Sequence, residues 1–218
     1  LADTSNLISR LVADAKPVKR LRPPALRAGL WLLAAAGIGG LAILLFANLP
    51  LFADRVKEPA LAVEWVATLI TGAAAVLAAF QLSLPDRSPA WALLPLPSLA
   101  VWIGSSSYSC YRHWITIGPT GWELGDSVDC LVFILAVSPP LALGLLMVLR
   151  RARPLEPVRV AAMGALGVAA LVAGALQFFH PFDVTFIDLG VHVAAIALII
   201  AGVSAVEHLS TRSRLGGA

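Results

Sequence analysis

Charge is what this chain has least of. Only 13% of its 218 residues are Asp, Glu, Lys or Arg, against roughly 25% in a soluble globular domain. So small a supply cannot coat a globule, which excludes a water-soluble fold. Cysteine and histidine are scarce as well, with two and four residues, too few and too scattered for a zinc-finger spacing. A Walker phosphate loop, a dinucleotide-binding fingerprint and an HExxH helix are all absent. Polar and apolar residues do not alternate over segments of about ten, as the strands of a membrane β-barrel require. No small-residue cleavage site precedes a soluble domain, so a cleavable signal peptide is not expected.

What is present is hydrocarbon: 59% of the residues are hydrophobic. Apolar runs of 18 or more residues recur, each long enough to cross the roughly 30 Å core of a bilayer. The pattern predicts an all-α, polytopic membrane protein with six transmembrane helices. They fall at about 28–48, 60–82, 91–109, 129–149, 159–179 and 187–206. Pro139-Pro140 in the fourth predicts a kink, and the Gly and Ala richness of the fifth predicts close helix packing. Residues 110–128 read as the longest loop between spans. The chain thus divides into a polar segment 1–27, a bundle 28–206 and a polar tail 207–218.

The polar segment has its own pattern. Residues 3–15 read as a short amphipathic helix, with Leu7, Ile8, Leu11 and Val12 at helical spacing on one face. Asp3, Thr4 or Ser5 suits its cap, and Lys16-Pro17 ends it. Lys19, Arg20 and Arg22 follow, before Pro23-Pro24. Basic residues beside a span attract anionic headgroups at about 1 kcal/mol each. That accounts for the charge and leaves the apolar face without a partner. Such a face lies in the membrane interface or docks in the groove of another protein.

Six spans put both termini on one side. On that side fall Arg10, Lys16, Lys19, Arg20, Arg22, Arg27, Arg87, Arg150, Arg151, Arg153, Arg159, Arg212 and Arg214. Only Arg55, Lys57 and Arg112 fall opposite. Thirteen against three predicts that both termini are cytoplasmic. The opposite face gathers Cys110, His113, Asp129, Cys130, His180 and Asp183, with His192 a turn or two inside the sixth span. Three readings of these residues stand open. Cys110 and Cys130 pair, closing a loop of about twenty residues worth roughly 3 kcal/mol in the chain-entropy model. Alternatively, each cysteine is a small apolar residue at a helix end. In the third reading Cys130, His180, Asp183 and His192 hold a divalent metal at the outer face. Asp188 and His192, four apart, share a helix face.

Three stretches together resemble a known family. The first is Leu7-Ile8-Ser9-Arg10-Leu11-Val12-Ala13-Asp14-Ala15-Lys16-Pro17-Val18, with Leu21-Arg22-Pro23-Pro24 and Leu30-Trp31-Leu32 after it. The second is Asp129-Cys130-Leu131-Val132-Phe133-Ile134, continuing to Ser138-Pro139-Pro140. The third, looser, is Phe179-His180-Pro181 with His192. The chain resembles, over nearly its whole length, the NrsF-type membrane anti-sigma factors. That resemblance implies a negative regulator of transcription in the bacterial inner membrane. It would hold an extracytoplasmic-function sigma factor there and release it under stress. It also implies sensing through a pair of outward-facing cysteines. Cys130 matches the first of them, and His180 stands where the second is expected. Cys110 is then a substitute partner, or Cys130 and His180 bind a metal together.

On this reading the sigma factor is bound by Leu7, Ile8, Arg10, Leu11, Val12, Lys16, Lys19, Arg20 and Arg22. The sensor is Cys110, Cys130 and His180. The chain is expected to be no enzyme, to need no obligatory cofactor, and to bind no nucleic acid directly and no defined small-molecule substrate. Its partners are the sigma factor and the lipid bilayer. Two rival classes remain. A small ion-coupled transporter would use Asp188, His192 and the Pro139-Pro140 break, and needs polar residues near the midplane, where the spans read as nearly all apolar. An intramembrane enzyme would use Gly104-Ser105-Ser106-Ser107 with a buried histidine.

Overall fold

The computed structural model describes residues 4–14, 20–117, 124–179 and 186–215. In them the chain is helical, in the order α1 (Thr4–Ala13), α2 (Pro24–Phe46), α3 (Leu49–Arg55), α4 (Pro59–Leu82), α5 (Leu96–Ile117), α6 (Leu124–Arg150), α7 (Pro157–Leu176) and α8 (Phe186–Leu215). A 3-10 turn, Pro89–Leu93, precedes α5. Five of these helices are long and apolar enough to cross a membrane: Pro24–Phe46, Pro59–Leu82, Leu131–Arg150, Pro157–Leu176 and Val193–Ser210. At 22 residues α5 is comparably long. Its serines and its Arg112 keep it less apolar, and it is not among the five.

Local chemistry explains where the helices begin. Pro24, Pro59 and Pro157 each occupy the first position of a long helix, where the missing N–H is one that no helix satisfies internally. The segment expected to be a loop after the first span contains the short helix α3. Asn48 starts it, its side-chain oxygen accepting from the Leu51 N–H at 3.2 Å, as a capping residue does. The longest of the expected loops is also corrected. Helix α5 carries Cys110, Arg112 and His113 on to Ile117, and α6 begins at Leu124. Residues expected in that loop are therefore on helix ends. Pro139 and Pro140 lie inside α6, which runs through them as α-helix.

Helix α7 is the centre of the bundle. Of its apolar window 61% is buried, against 0% for α2. The reason is side-chain size. Between helices in lipid, water exclusion contributes little, and close van der Waals contact decides which helices pair. At Gly167 an added Cβ would stand 2.8 Å from Val76 Cγ2 and 2.9 Å from the Val76 backbone nitrogen. At Gly72 it would stand 2.6 Å from Leu171 Cγ. These two glycines bring α4 and α7 almost backbone to backbone. Around that seam the core gathers Val76, Phe80, Ile134, Leu145, Leu149 and Val168.

Polar clamps mark the two ends. At one end Arg27 donates from Nη2 to the Val148 carbonyl at 2.9 Å, and its guanidinium stands 5.1 Å from the Phe80 ring centre. At the same end Arg150 pairs with Glu207 at 2.5 Å and donates to Ser210 at 3.0 Å. The polar residues from Glu207 on thus continue α8 and begin with a buried contact. At the other end Arg112 pairs with Glu58. Phe52 stacks on Phe178 at 4.0 Å, and Trp65 meets both edge-on. Residue 58 thus faces 112, and Glu64 is hydrogen-bonded to Ser106, so α5 runs antiparallel along α4.

Candidate functional site

Helix α1 stands apart from this bundle and has no buried residue. Leu7, Ile8, Leu11 and Val12 expose 57%, 56%, 64% and 69% of their surface. The face predicted from the sequence is therefore formed, and the described fold does not cover it. Arg10 lies in the last turn, where a cation complements the negative end of the helix dipole. Arg20 and Arg22 are exposed on the approach to α2. Lys16 and Lys19 lie outside the described residues.

This arm is tied to the bundle at Arg27, a contact the sequence reading treated only as one more basic residue. The Val148 carbonyl is among the last four of α6, which no intrahelical donor can reach. Arg27 supplies the missing donor and is 9% exposed. Burial holds the first turn of α2 through Pro24, Arg27 and Ala28, while the rest of the helix is not buried. Arg27→Leu removes a charged hydrogen bond and leaves a buried carbonyl short of its donor. The expected loss is about 1.5–3 kcal/mol, checked by thermal unfolding of the detergent-solubilised protein, and it should be felt first at the α2–α6 contact.

The predicted sensor residues are placed unevenly. Cys110 is buried on α5, one turn beyond Ser106. Cys130 and His192 belong to α6 and α8 by backbone, with side chains outside the described residues, as are those of Asp188 and His113. His180 and Asp183 lie outside them altogether. Among the described residues no group of three His, Cys, Asp or Glu is placed to hold a metal. The serine run has its hydroxyls engaged. Ser105 and Ser107 donate to the carbonyls of Trp102 and Ile103 on their own helix, at 3.0 and 2.7 Å, the usual habit of such residues inside a helix. Ser106 is bonded to Glu64.

Glu64 is the functional candidate that the sequence reading missed. It is 3% exposed, within a span read as nearly all apolar, and an ionisable group there is by default a functional candidate. The signal was a single acidic residue in the run from Ala60 to Leu82, masked by the hydropathy around it. Thr68, on the same helix face, turns its hydroxyl back to the Glu64 carbonyl oxygen of the backbone at 2.7 Å. Trp65, the next residue, donates to the Gly174 carbonyl of α7 at 3.2 Å.

No curated protein and no solved structure matches the chain. One family model does, over residues 11–211, a span that begins at Leu11 within α1 and takes in the basic stretch after it, all five apolar helices and nearly all of α8. By that match the chain belongs to the family described as negative regulator of sigma F.

Proposed function

We propose that this protein is a membrane anti-sigma factor that sequesters an extracytoplasmic-function sigma factor at the bacterial inner membrane. The observation that carries the proposal is the uncovered apolar face of α1, on a chain whose family regulates a sigma factor negatively. Leu7, Ile8, Leu11 and Val12 are the anchors in a groove of the sigma factor. Arg10, Lys16, Lys19, Arg20 and Arg22 meet its acidic surface, which mainly sets the association rate and the choice of partner. No groove is needed in the bundle itself, because the arm brings its own hydrophobic surface.

The finer topology is part of the same proposal. Helix α5 serves as the sixth span. At 22 residues it is about 33 Å long at 1.5 Å per residue, and its antiparallel pairing with α4 supports a crossing. Both termini are then cytoplasmic, by the distribution of basic residues. Cys110, Cys130 and His180 lie toward the outer face, where an oxidant or a soft divalent cation is the signal. Releasing the sigma factor a hundredfold requires about 2.7 kcal/mol of differential stabilisation between two packings of the bundle. The thiols and the imidazole are the groups that would hold such an ion; the arm alone does the binding.

The deciding experiment is capture of the organism's extracytoplasmic-function sigma factors by the full chain in detergent. One of them should be retained in stoichiometric amount, and retention of none sinks the proposal. The sensor is tested separately. Cys130→Ser and His180→Ala should leave capture intact and reduce release by oxidant or metal in a transcription reporter. Undiminished release in both variants would remove these residues from the mechanism.

A further inference from the structure

Beside Glu64 lies a cavity of about 290 Å³, lined by residues of α4, α5, α7 and α8. Its lining is largely apolar, with Glu64, Thr68, Ser106 and Gln177 as the polar members. Leu99, Trp102 and Ser106 project from α5, and Val193, Ile196 and Ile200 from α8, each set spaced at three to four residues and so on one helix face. These two helices touch each other far less than α5 touches α4 or α8 touches α6 and α7, and the cavity occupies the gap. Val193 is 58% exposed, so the gap opens sideways from the bundle, toward hydrocarbon in a membrane. Glu64 Oε2 is buried and has no hydrogen-bond partner among the described residues. Ser106 already serves the carboxyl, and Arg55 acts on it electrostatically.

We infer that this cavity is a binding site for a small, membrane-soluble amine, whose nitrogen donates to Glu64 Oε2 and whose apolar body fills the space between α5 and α8. A buried carboxyl oxygen without a hydrogen-bond partner is costly, and the largely apolar walls favour an apolar body. An ammonium group meets both conditions, because its pair with a carboxylate is net neutral where a lone charge is expensive. The Trp102 ring on the wall adds a face that attracts a cation. The volume suits a compact molecule, near the lower limit of small-molecule sites, about 300 Å³. An anionic amphiphile is rejected by Glu64, and a neutral one gains no charge-assisted bond. This site is independent of the sigma-factor reading, since it lies in the bundle and uses none of the arm.

The probe is radiolabelled 1-aminoadamantane, in equilibrium dialysis against the full chain in maltoside micelles, with protein-free micelles as the blank. Saturable binding near one molecule per chain is expected. Glu64→Gln keeps the shape and should weaken it at least about tenfold, the value of one charge-assisted hydrogen bond. Ala197→Phe adds bulk from the α8 side of the cavity, leaves the Glu64 carboxyl in the chain, and should abolish it. Both 1-adamantanol and adamantane-1-carboxylate should compete at least about tenfold more weakly than the amine. Absence of saturable binding overturns the inference. So does unchanged affinity in Glu64→Gln, or equal competition by the alcohol, which would mark the gap as a site for any apolar molecule or acyl chain. If Glu64→Gln does not fold, the comparison of alcohol with amine on the unaltered chain decides.

Discussion

Replacing Leu7 and Leu11 together by Asp should abolish the proposed sigma-factor capture while leaving the bundle as stable as before. Each leucine exposes more than half its surface in the free protein. Full burial of such a side chain in a partner's groove contributes about 1.5–3 kcal/mol, so the pair contributes about 3–6 kcal/mol. Every 1.4 kcal/mol is about a factor of ten in affinity, and the double variant should therefore bind at least a hundredfold more weakly. On the proposed reading the two new carboxylates would also face an acidic partner surface, which adds to the loss. Deleting residues 1–22 should remove capture completely and keep the Arg27 clamp, because that clamp lies beyond the cut. The measurement is sigma-factor affinity by surface-immobilised capture, with thermal unfolding as the control. Because α1 contributes no buried residue, a fall in bundle stability would show that the arm docks on the bundle. Retained affinity in the deletion would show that another surface binds the sigma factor.

Gly167→Leu should unfold the bundle or force it open. The space a side chain would need is taken by the backbone of α4, with the Val76 nitrogen 2.9 Å and the Gly72 carbonyl oxygen 3.1 Å from the new Cβ. Backbone cannot swing aside as a flexible side chain does. Helices α4 and α7 must separate, and the contacts of Val76, Phe80 and Val168 weaken with them. Overpacking of this kind costs about 3 kcal/mol, and in a central helix the loss should appear as poor recovery from the membrane and a lower unfolding temperature. Gly104→Leu is the matched control. Nothing lies within 4 Å of a Cβ at that position, and leucine is the better helix former by about 0.8–1 kcal/mol. It should be neutral or slightly stabilising. Equal behaviour of the two variants would show that α4 and α7 are not in close contact.

The arm and the anchor differ in how far they could be read. The helix at Thr4–Ala13 and its apolar face follow from spacing alone, since each residue's position on a helix is fixed by its number. The clamp at Arg27 does not, because its partners Val148 and Phe80 are 121 and 53 positions away. Nothing in a stretch of basic residues tells which one turns inward. Glu64 was hidden for a related reason. Averaged hydropathy makes one carboxylate among two dozen apolar residues look incidental, and only the opposing Ser106 and the cavity give it a role. The loop expected at 110–128 is shorter because α5 continues to Ile117 and α6 begins at Leu124, and the pairing of Arg112 with Glu58 across that end is a long-range contact invisible to local propensity.

The sequence by itself determined that the chain is helical, belongs in a membrane, and carries a basic amphipathic arm at one end. These properties depend on composition, run length and period, which are local quantities. The tertiary structure alone decided that α7 lies at the centre, that Gly72 and Gly167 form the α4–α7 seam, that Arg27 moors the arm, and that a carboxyl faces the gap between α5 and α8. Each of these depends on which residues meet across the bundle. In a medium as apolar as the side chains themselves, that is settled by shape and by the few polar groups that must find partners.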